Sequence, residues 1–422
     1  MADTHFPSIS SPRFSSGLSA LALAALALFV VASITAHAAT ETILYSFNGL
    51  TGDGFYPASS LIMDSAGNLY GTTVYGGANG DGTVFKLSPG GVETVLHSFT
   101  GANGDGNDPY GGLVIDSKGN LYGVTVFGGA NNTGTVFKIT RRGKEKVLYS
   151  FGNTANDGAS PNAALLMDNA GNFYGTTVGG GLNNCSLGCG TVFKMSRTGK
   201  ETVLYRFGNS NGDGFWPDCS LIMDSNGNLY GTTSKGGANG EGTIFQLSSA
   251  GVETVLYSFT GTNGDGANPV AGLVMDSAGN LYGTTSNGGD SICDDGCGTV
   301  FKLSSSGTET ILYSFKGRNR FGASPQGSLI MDSVGNLYGT TFNSGGDYCS
   351  EIGCGTVFQL SSNGGAESIL HRFKGYPYGD GSNPSGALIM DNANHLYGTT
   401  QGGGPTGYGT IFKVTLPRPR QK

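Results

Sequence analysis

The sequence is poor in charged residues, which make up 13% of the chain. Typical soluble domains contain roughly 25% charged residues. The formal net charge is −7, and no stretch of the chain concentrates lysine or arginine. Proteins that bind nucleic acids or anionic membranes depend on such a basic surface. The composition therefore argues against both kinds of partner.

Long apolar runs are also missing, apart from one near the N-terminus. This run covers Leu18–Ile34, follows Arg13 and precedes Ala36-His37-Ala38, which is the arrangement of a cleavable secretory signal. We predict a signal peptide over residues 1–38, no membrane span after cleavage, and a periplasmic or extracellular location. An uncleaved membrane anchor is the alternative, although about 17 apolar residues is short for a spanning helix.

Residues that commonly carry catalysis are scarce beyond residue 38. Three histidines remain, His97, His371 and His395, and the chain has a single tryptophan. No serine elbow, metalloprotease helix or phosphate loop is present, and G-x-G-x-x-G patterns mean little among 75 glycines. His97 and His371 replace a tyrosine in a repeated strand, so we interpret them as outer-strand substitutions. The sequence therefore predicts no catalytic residue, no cofactor and no metal site.

What the chain has in abundance is a repeat of 52 to 59 residues, present seven times. Its clearest segments are G-N-L-Y-G-T-T, G-T-V-F-K and E-T-V-L-Y-S-F. The tyrosine of the first segment recurs at Tyr70, Tyr122, Tyr174, Tyr230, Tyr282, Tyr338 and Tyr397. A period of this length with strand-like segments indicates an array of supersecondary units that bury their apolar faces against one another.

Each repeat contains four short runs rich in β-branched and aromatic residues. In the first repeat these runs are Ser60–Asp64, Leu69–Val74, Thr83–Ser88 and Glu93–Phe99. The D-S-A-G-N link between the first two runs predicts a tight hairpin turn, because aspartate bonds its own backbone and glycine accepts positive φ. Four antiparallel strands in each of seven units predict an all-β, seven-bladed β-propeller.

The two ends of the array indicate that it closes into a ring. The first segment after the predicted leader, Glu41–Phe47, matches a fourth strand, and the last segment, Gly409–Lys413, matches a third strand. Joining them completes a blade and covers sheet edges that would otherwise invite aggregation. We predict a propeller over residues 39–415, closed by its N-terminal strand, with a tail over residues 416–422. A parallel β-helix is the alternative, but it does not explain the split repeat.

The repeat resembles the GloVer (Gloeo/Verruco) tandem repeat of bacterial exported proteins. The matching segments are L-x-M-D-x-x-G-N-L-Y-G-T-T, G-G-x-x-G-x-G-T-V-F-K-L and E-T-V-L-Y-S-F, over roughly residues 41–414. This resemblance implies a propeller-like exported module, and it implies no particular activity.

Six of the seven cysteines form close pairs in the loops between second and third strands. The pairs are Cys185 and Cys189, Cys293 and Cys297, and Cys349 and Cys354. In an exported protein such pairs predict disulfides that close the loop. Zinc binding and free thiols are the alternatives, but no histidine lies in these loops. Cys219 has no evident partner and is predicted to be a buried free thiol.

Two sets of aspartates recur at equivalent positions, which favours turn formation over catalysis. One set ends the first strand of each repeat: Asp64, Asp116, Asp168, Asp224, Asp276, Asp332 and Asp391. The other lies in D-G-x-x-P loops, which should share a face with the cysteine loops: Asp53, Asp105, Asp157, Asp213, Asp265 and Asp380. A ring of carboxylates that binds a cation is the alternative for the second set.

Positions that differ among the repeats are free to specialise, and several carry aromatic residues near the D-G-x-x-P loops. The candidate ligand-binding residues are Tyr56, Tyr110, Phe215, Trp216, Tyr376 and Tyr378. Aromatic rings beside Asp and Asn suit recognition of sugars or peptides, although they could instead fill gaps between blades. We predict a monomeric binding module for a glycan or an envelope protein. The alternatives are a purely structural repeat scaffold and a propeller lyase or hydrolase.

Overall fold

The computed structural model describes residues 39–289, 293, 295–317, 321–345 and 353–417. Residues 39–416 form one compact unit. The predicted signal peptide, residues 1–38, and residues 418–422 of the predicted tail lie outside the described residues. The described part of the chain contains no helix, and therefore none that is long and apolar enough to cross a membrane.

Seven four-stranded antiparallel sheets form the blades of a propeller, which confirms the predicted fold. The strands of blades 1 to 3 are Ile62–Met63, Leu69–Thr73, Thr83–Leu87 and Glu93–Ser98; Val114–Ile115, Leu121–Thr125, Thr135–Ile139 and Glu145–Ser150; Leu166–Met167, Phe173–Thr177, Thr191–Met195 and Glu201–Arg206. The strands of blades 4 to 6 are Ile222–Met223, Leu229–Thr233, Thr243–Leu247 and Glu253–Ser258; Val274–Met275, Leu281–Thr285, Thr299–Leu303 and Glu309–Ser314; Ile330–Met331, Asn336–Thr341, Thr356–Ser361 and Ser368–Arg372. Blade 7 contains Ile389–Met390, His395–Thr400, Thr410–Thr415 and, as its outer strand, Thr40–Ser46.

The ring is closed by the N-terminal strand, as predicted. Thr40–Ser46, here called the closing strand, pairs antiparallel with Thr410–Thr415. The residue that follows it, Phe47, is fully buried and packs edge-on against Phe85 of blade 1, with ring centroids 5.3 Å apart. The closing strand therefore covers the edge of blade 7 and leads into the contact between blades 7 and 1.

Phenylalanine pairs hold neighbouring blades together. The phenylalanine after each outer strand packs edge-on against the phenylalanine of the next blade's third strand, with centroids 5.0 to 5.3 Å apart. The glycine of L-Y-G-T-T makes room for the second ring, because a Cβ at Gly71 would lie 2.6 Å from Phe85 Cζ. This packing explains why both phenylalanines and the glycine recur in every repeat.

The turn after each first strand is built around its aspartate, which confirms the turn-forming interpretation. Asp64 Oδ1 accepts the backbone N–H groups of Ala66 and Asn68, and Oδ2 accepts the Asn68 amide and the Tyr70 hydroxyl. Burial by itself raises the pKa of Asp64, but these hydrogen bonds bring it below its usual value. In the last repeat His395 takes the place of the asparagine, with Nδ1 2.8 Å from Asp391 Oδ2.

The cysteine predictions are confirmed where the structure describes the residues. Cys185 is bonded to Cys189 and Cys293 to Cys297. Cys354 is also disulfide-bonded, while its predicted partner, Cys349, lies outside the described residues. Cys219 is free and buried, and burial raises the pKa of its thiol to about 11.

Candidate functional site

Each D-G-x-x-P loop pairs with the loop between the second and third strands of the same blade, so the two loops share one face, as predicted. The pairing forms a two-stranded ribbon, such as Gly54–Phe55 with Tyr75–Gly76. The other ribbons are Gly106–Asn107 with Phe127–Gly128, Gly158–Ala159 with Gly179–Gly180, Gly214–Phe215 with Lys235–Gly236, Gly266–Ala267 with Asn287–Gly288, Gly322–Ala323 with Asn343–Ser344, and Gly381–Ser382 with Gly402–Gly403.

The residue before the proline of each loop connects one blade to the previous one. Its backbone lies in the left-handed region, with φ of 62° at Tyr56 and 58° at Trp216. The N–H of Tyr56 donates to Tyr408 O across 3.1 Å, and that of Trp216 donates to Cys189 O across 3.0 Å. Bulky residues rarely adopt this conformation, whereas asparagine adopts it more readily. Asparagine occupies the equivalent position at Asn268 and Asn383.

The aspartates of the D-G-x-x-P loops belong to their own turns. Asp53 Oδ1 accepts the N–H of Gly54 and Oδ2 accepts that of Asn48, each across 2.8 Å. None of these aspartates is among the described residues that line the central cavity. The structure therefore supports turn formation rather than a ring of carboxylates around the channel.

The same aspartates also face a seam between the outer strands of adjacent blades. At the seam between blades 3 and 4, Tyr205 OH donates to Asp213 Oδ2 across 3.0 Å. Glu253, from the outer strand of blade 4, lies close enough to interact electrostatically with both side chains. Tyr45, Tyr149 and Tyr257 make the equivalent bond to Asp53, Asp157 and Asp265. Blade 6 lacks the aspartate, and there Tyr313 OH donates to Glu367 Oε2 instead.

The centre of the ring holds a cavity of about 330 Å³. Its lining includes the residue after the proline in every repeat, and all seven of these residues differ: Ala58, Tyr110, Asn162, Asp218, Val270, Gln326 and Ser385. Sequence reasoning selected only Tyr110 from this set. A position-by-position comparison of the repeats could have found the others, because no two repeats share a residue here.

A hydrogen-bonded pair from neighbouring blades lies at the mouth of this cavity. Asn162 Nδ2 donates to Asp218 Oδ1 across 2.7 Å. Burial raises the pKa of Asp218 to about 6, although the bond from Asn162 opposes the increase. The carbonyl oxygen of the same side-chain amide, Asn162 Oδ1, is buried and accepts no hydrogen bond. The pair therefore presents a desolvated carboxylate beside an unsatisfied acceptor.

Tyr110 lies beside this pair and is held by polar contacts. Gln401 Nε2 donates to Tyr110 OH across 3.3 Å and to Ser385 Oγ across 2.8 Å. Burial, followed by the proximity of Tyr56, raises the pKa of Tyr110 well above its usual value. Tyr110 is therefore a neutral phenol at physiological pH.

A second cavity of about 320 Å³, here called the channel-mouth pocket, adjoins the first and shares Tyr110, Asn162 and Asp218 with it. Two aromatic side chains at its edge, Tyr75 and Phe127, are 41% and 42% exposed. The full lining is Val74, Tyr75, Asp108, Tyr110, Val126, Phe127, Ser160, Asn162, Val178 and Asp218. The pocket thus combines accessible rings with a few converging polar groups.

Two of the six predicted binding residues meet at this pocket. Tyr110 lines it, and Tyr56 lies next to it, with its ring centroid 5.7 Å from that of Tyr75. The other four predicted residues line neither cavity.

Trp216 and Phe215 instead sit on the cysteine loop of blade 3. The indole Nε1 of Trp216 donates to Gly188 O across 3.2 Å, and the ring packs edge-on against Phe215 with centroids 5.3 Å apart. Tyr376 and Tyr378 lie on the loop between blades 6 and 7 and are 61% and 58% exposed. Ligand contact at these four positions stays a prediction.

Two groups of three side chains in the described residues could hold a metal ion. They are His97 with Asp105 and Glu145, and Glu41 with His371 and Asp380. Both groups lie at seams between outer strands and are distinct from the channel-mouth pocket.

The sequence profile of the Gloeobacter/Verrucomicrobia repeat matches residues 30–187, 93–294 and 154–352 in overlapping tandem. The chain belongs to the Gloeobacter/Verrucomicrobia repeat family. The predicted resemblance is thereby confirmed. No curated protein matched the sequence.

Solved structures share the propeller fold of this Gloeobacter/Verrucomicrobia repeat protein. Two are extracellular domains from B. thetaiotaomicron, belonging to proteins described as a one component system and a hybrid two component system. They are 10% and 12% identical, cover 92% and 89% of this chain, and both give a TM-score of 0.54. The third, a GH74 enzyme from Niastella koreensis, is 17% identical over 87% of this chain with a TM-score of 0.55.

The chain spans 40%, 41% and 53% of the length of these three proteins. At such identities the likeness concerns the fold alone.

Proposed function

We propose that this protein is an exported binding propeller that holds a carbohydrate in the channel-mouth pocket. The observation that carries the proposal is the buried acceptor Asn162 Oδ1, which has no hydrogen-bond donor. A buried polar atom without a partner costs free energy. A sugar hydroxyl would supply the missing donor, with Asp218 available as a second acceptor 2.7 Å from the Asn162 amide.

The apolar part of the pocket suits the faces of sugar rings. Tyr75 and Phe127 present exposed rings at the edge, and Val74, Val126 and Val178 line the wall. Aromatic rings stack on apolar faces while a small number of polar groups fix the orientation of the ligand. The volume, about 320 Å³, is at the lower limit for ligand pockets, which favours one or two sugar rings over a long chain.

Export is supported by three independent observations. The N-terminal 38 residues have the pattern of a secretory signal. Disulfides are present, and these persist in oxidising compartments. Two proteins of the same fold are named as extracellular domains. Recognition of a glycan in the periplasm or outside the cell is consistent with all three.

The test is an oligosaccharide array probed with the mature protein, followed by calorimetry on the sugar that binds best. We expect Asn162→Ala and Phe127→Ala each to weaken binding at least about 10-fold, which corresponds to about 1.4 kcal/mol. Gln326→Ala is the matched control, because Gln326 occupies the same repeat position but lines only the central cavity.

Two results would contradict the proposal. One is an array on which no oligosaccharide is retained while an envelope protein is captured from extract, which would favour the protein-interaction alternative. The other is sugar binding that Asn162→Ala and Phe127→Ala leave unchanged.

A further inference from the structure

The seams of blades 1 and 6 differ from the others in one residue. Where four other seams place a tyrosine hydroxyl on the loop aspartate, these two place an imidazole. His97 Nε2 lies 3.4 Å from Asp105 Oδ2, and His371 Nε2 lies 3.2 Å from Asp380 Oδ2. A glutamate of the following outer strand completes each group, Glu145 in one and Glu41 in the other.

The three ligand atoms of each group lie within 4.8 Å of one another. We propose that each of these two seams binds one zinc ion through its histidine and two carboxylates. Zinc takes imidazole nitrogen and carboxylate oxygen at about 2.0–2.2 Å in a tetrahedron, whose ligands are then about 3.3–3.5 Å apart. The imidazole-to-aspartate distances are already close to this spacing.

The glutamate oxygens of the two groups are available to a further ligand. Glu145 Oε1 and Glu41 Oε1 are buried and have no hydrogen-bond partner, and the same holds for glutamates at the tyrosine seams, such as Glu201 and Glu253. Among the described residues, a ring nitrogen joins this oxygen and the loop aspartate only at the two histidine seams. Two carboxylates and one imidazole bring two negative charges, which a divalent cation would neutralise.

The ligands are held in place by their neighbours, as in metal sites whose outer partners orient the ligands. Asp105 Oδ1 accepts the N–H of Gly106 across 2.7 Å, and Asp380 Oδ1 accepts that of Gly381 across the same distance. Each imidazole packs edge-on against the phenylalanine two residues later in the chain, with centroids 4.6 and 4.8 Å apart. The side chains of His97 and His371 are 19% and 18% exposed, which leaves a route for the ion and a position for water.

Zinc bound by Glu41, His371 and Asp380 would link two blades. Glu41 belongs to the closing strand of blade 7, whereas His371 belongs to the outer strand of blade 6. Zinc at this seam would tie the closing strand to a blade with which it shares no sheet. Because ions that bind only the folded state stabilise it, zinc should reinforce closure of the ring.

The experiment uses exported protein without a histidine tag, freed of metal with a chelator and titrated with zinc chloride at neutral pH. We expect two zinc ions per chain, one for each seam, and a higher melting temperature with zinc than without. His97→Tyr and His371→Tyr should each remove one ion. Both variants should fold, because tyrosine is the residue at the other seams.

Two further variants sharpen the test. His395→Asn, which restores the residue of the other six repeats, should leave the stoichiometry at two. Tyr149→His, beside Asp157 and Glu201, should raise it to three. Fewer than two ions in the original protein, ions that persist in the double His→Tyr variant, or a Tyr149→His variant that stays at two would overturn the proposal.

Discussion

The side chains of Asn162 and Asp218 come from neighbouring blades, occupy the same position of the repeat, and meet across 2.7 Å at the mouth of the central cavity. Repeated positions build the ring, and this position, with a different residue in every repeat, builds the candidate site. The pair is exposed to the channel-mouth pocket yet desolvated enough to raise the pKa of Asp218 to about 6. Such perturbed groups in a cleft often mark functional sites.

Asp218 should lower the stability of the folded protein at neutral pH. Its pKa rises from the ordinary 3.8 to about 6 on folding, so between these values the folded state binds more protons than the unfolded state, and stability falls as pH rises. We expect Asp218→Asn to raise the melting temperature at pH 8 and to leave it nearly unchanged at pH 3.5. A gain of equal size at both pH values would show that charge burial is not the cause.

Asp224→Asn is the matched control for this prediction. Hydrogen bonds from Asn228, Tyr230 and the backbone outweigh burial and lower the pKa of Asp224. Its contribution has the opposite sign: it is present above the unfolded pKa and lost in acid. Asp224→Asn should therefore lower the melting temperature at pH 8.

The seam glutamates should make the whole chain less stable as pH rises from about 5 to 8. Burial is the first cause that raises the pKa to about 7 at Glu93, Glu201, Glu253, Glu309 and Glu367. These groups hold protons in the folded state that the unfolded state has released, so stability declines across this window. At Glu201 the neighbouring Asp157 adds to the increase and Arg206 opposes it.

Thermal melting of Glu201→Gln checks this prediction. The variant should melt higher than the original protein at pH 8 and at nearly the same temperature at pH 4.5. Glu241→Gln, at an exposed ion pair with Lys235, should show no such difference between the two pH values. Parallel pH profiles of melting temperature for the original protein and Glu201→Gln would show that this glutamate does not cause the loss of stability at high pH.

Closure should depend on the buried phenylalanine that follows the closing strand. Phe47→Ala removes a fully buried ring between blades 7 and 1, which typically costs about 3–5 kcal/mol. Deleting residues 39–48 should go further and expose the edge of Thr410–Thr415, with aggregation as the result. Val92→Ala, at a side chain 65% exposed, is the control for melting. A deletion variant that remains monomeric and melts normally would refute closure as the source of stability.

Trp216 should contribute mainly to the stability of the fold and not to ligand binding. Its indole donates to Gly188 O and packs on Phe215, so Trp216→Ala should lower the melting temperature by loosening the cysteine loop of blade 3. Binding at the channel-mouth pocket should change little, because Trp216 does not line it. A variant that keeps its melting temperature but loses ligand would place the binding site around Trp216 instead.

Local patterns and repeat spacing were sufficient to predict the ring, the closing strand and the shared face of the loops. The D-S-A-G-N turn, the two described disulfides and buried Cys219 follow from residue chemistry within a few positions along the chain. Contacts between blades were not predictable in the same way. Asn162 and Asp218 are 56 residues apart, and the aromatic content of the loops drew attention to Trp216 instead. The imidazole of His371 meets Glu41 only because the ring closes.

Carbohydrate binding at the channel-mouth pocket is tested most directly by a crystal structure of the protein with the oligosaccharide that binds best on the array. We expect a sugar ring in the channel-mouth pocket, against Tyr75 or Phe127, with hydroxyl groups donating to Asn162 Oδ1 and Asp218. A sugar bound only at the exposed Tyr376 and Tyr378, with the channel-mouth pocket empty, would contradict it.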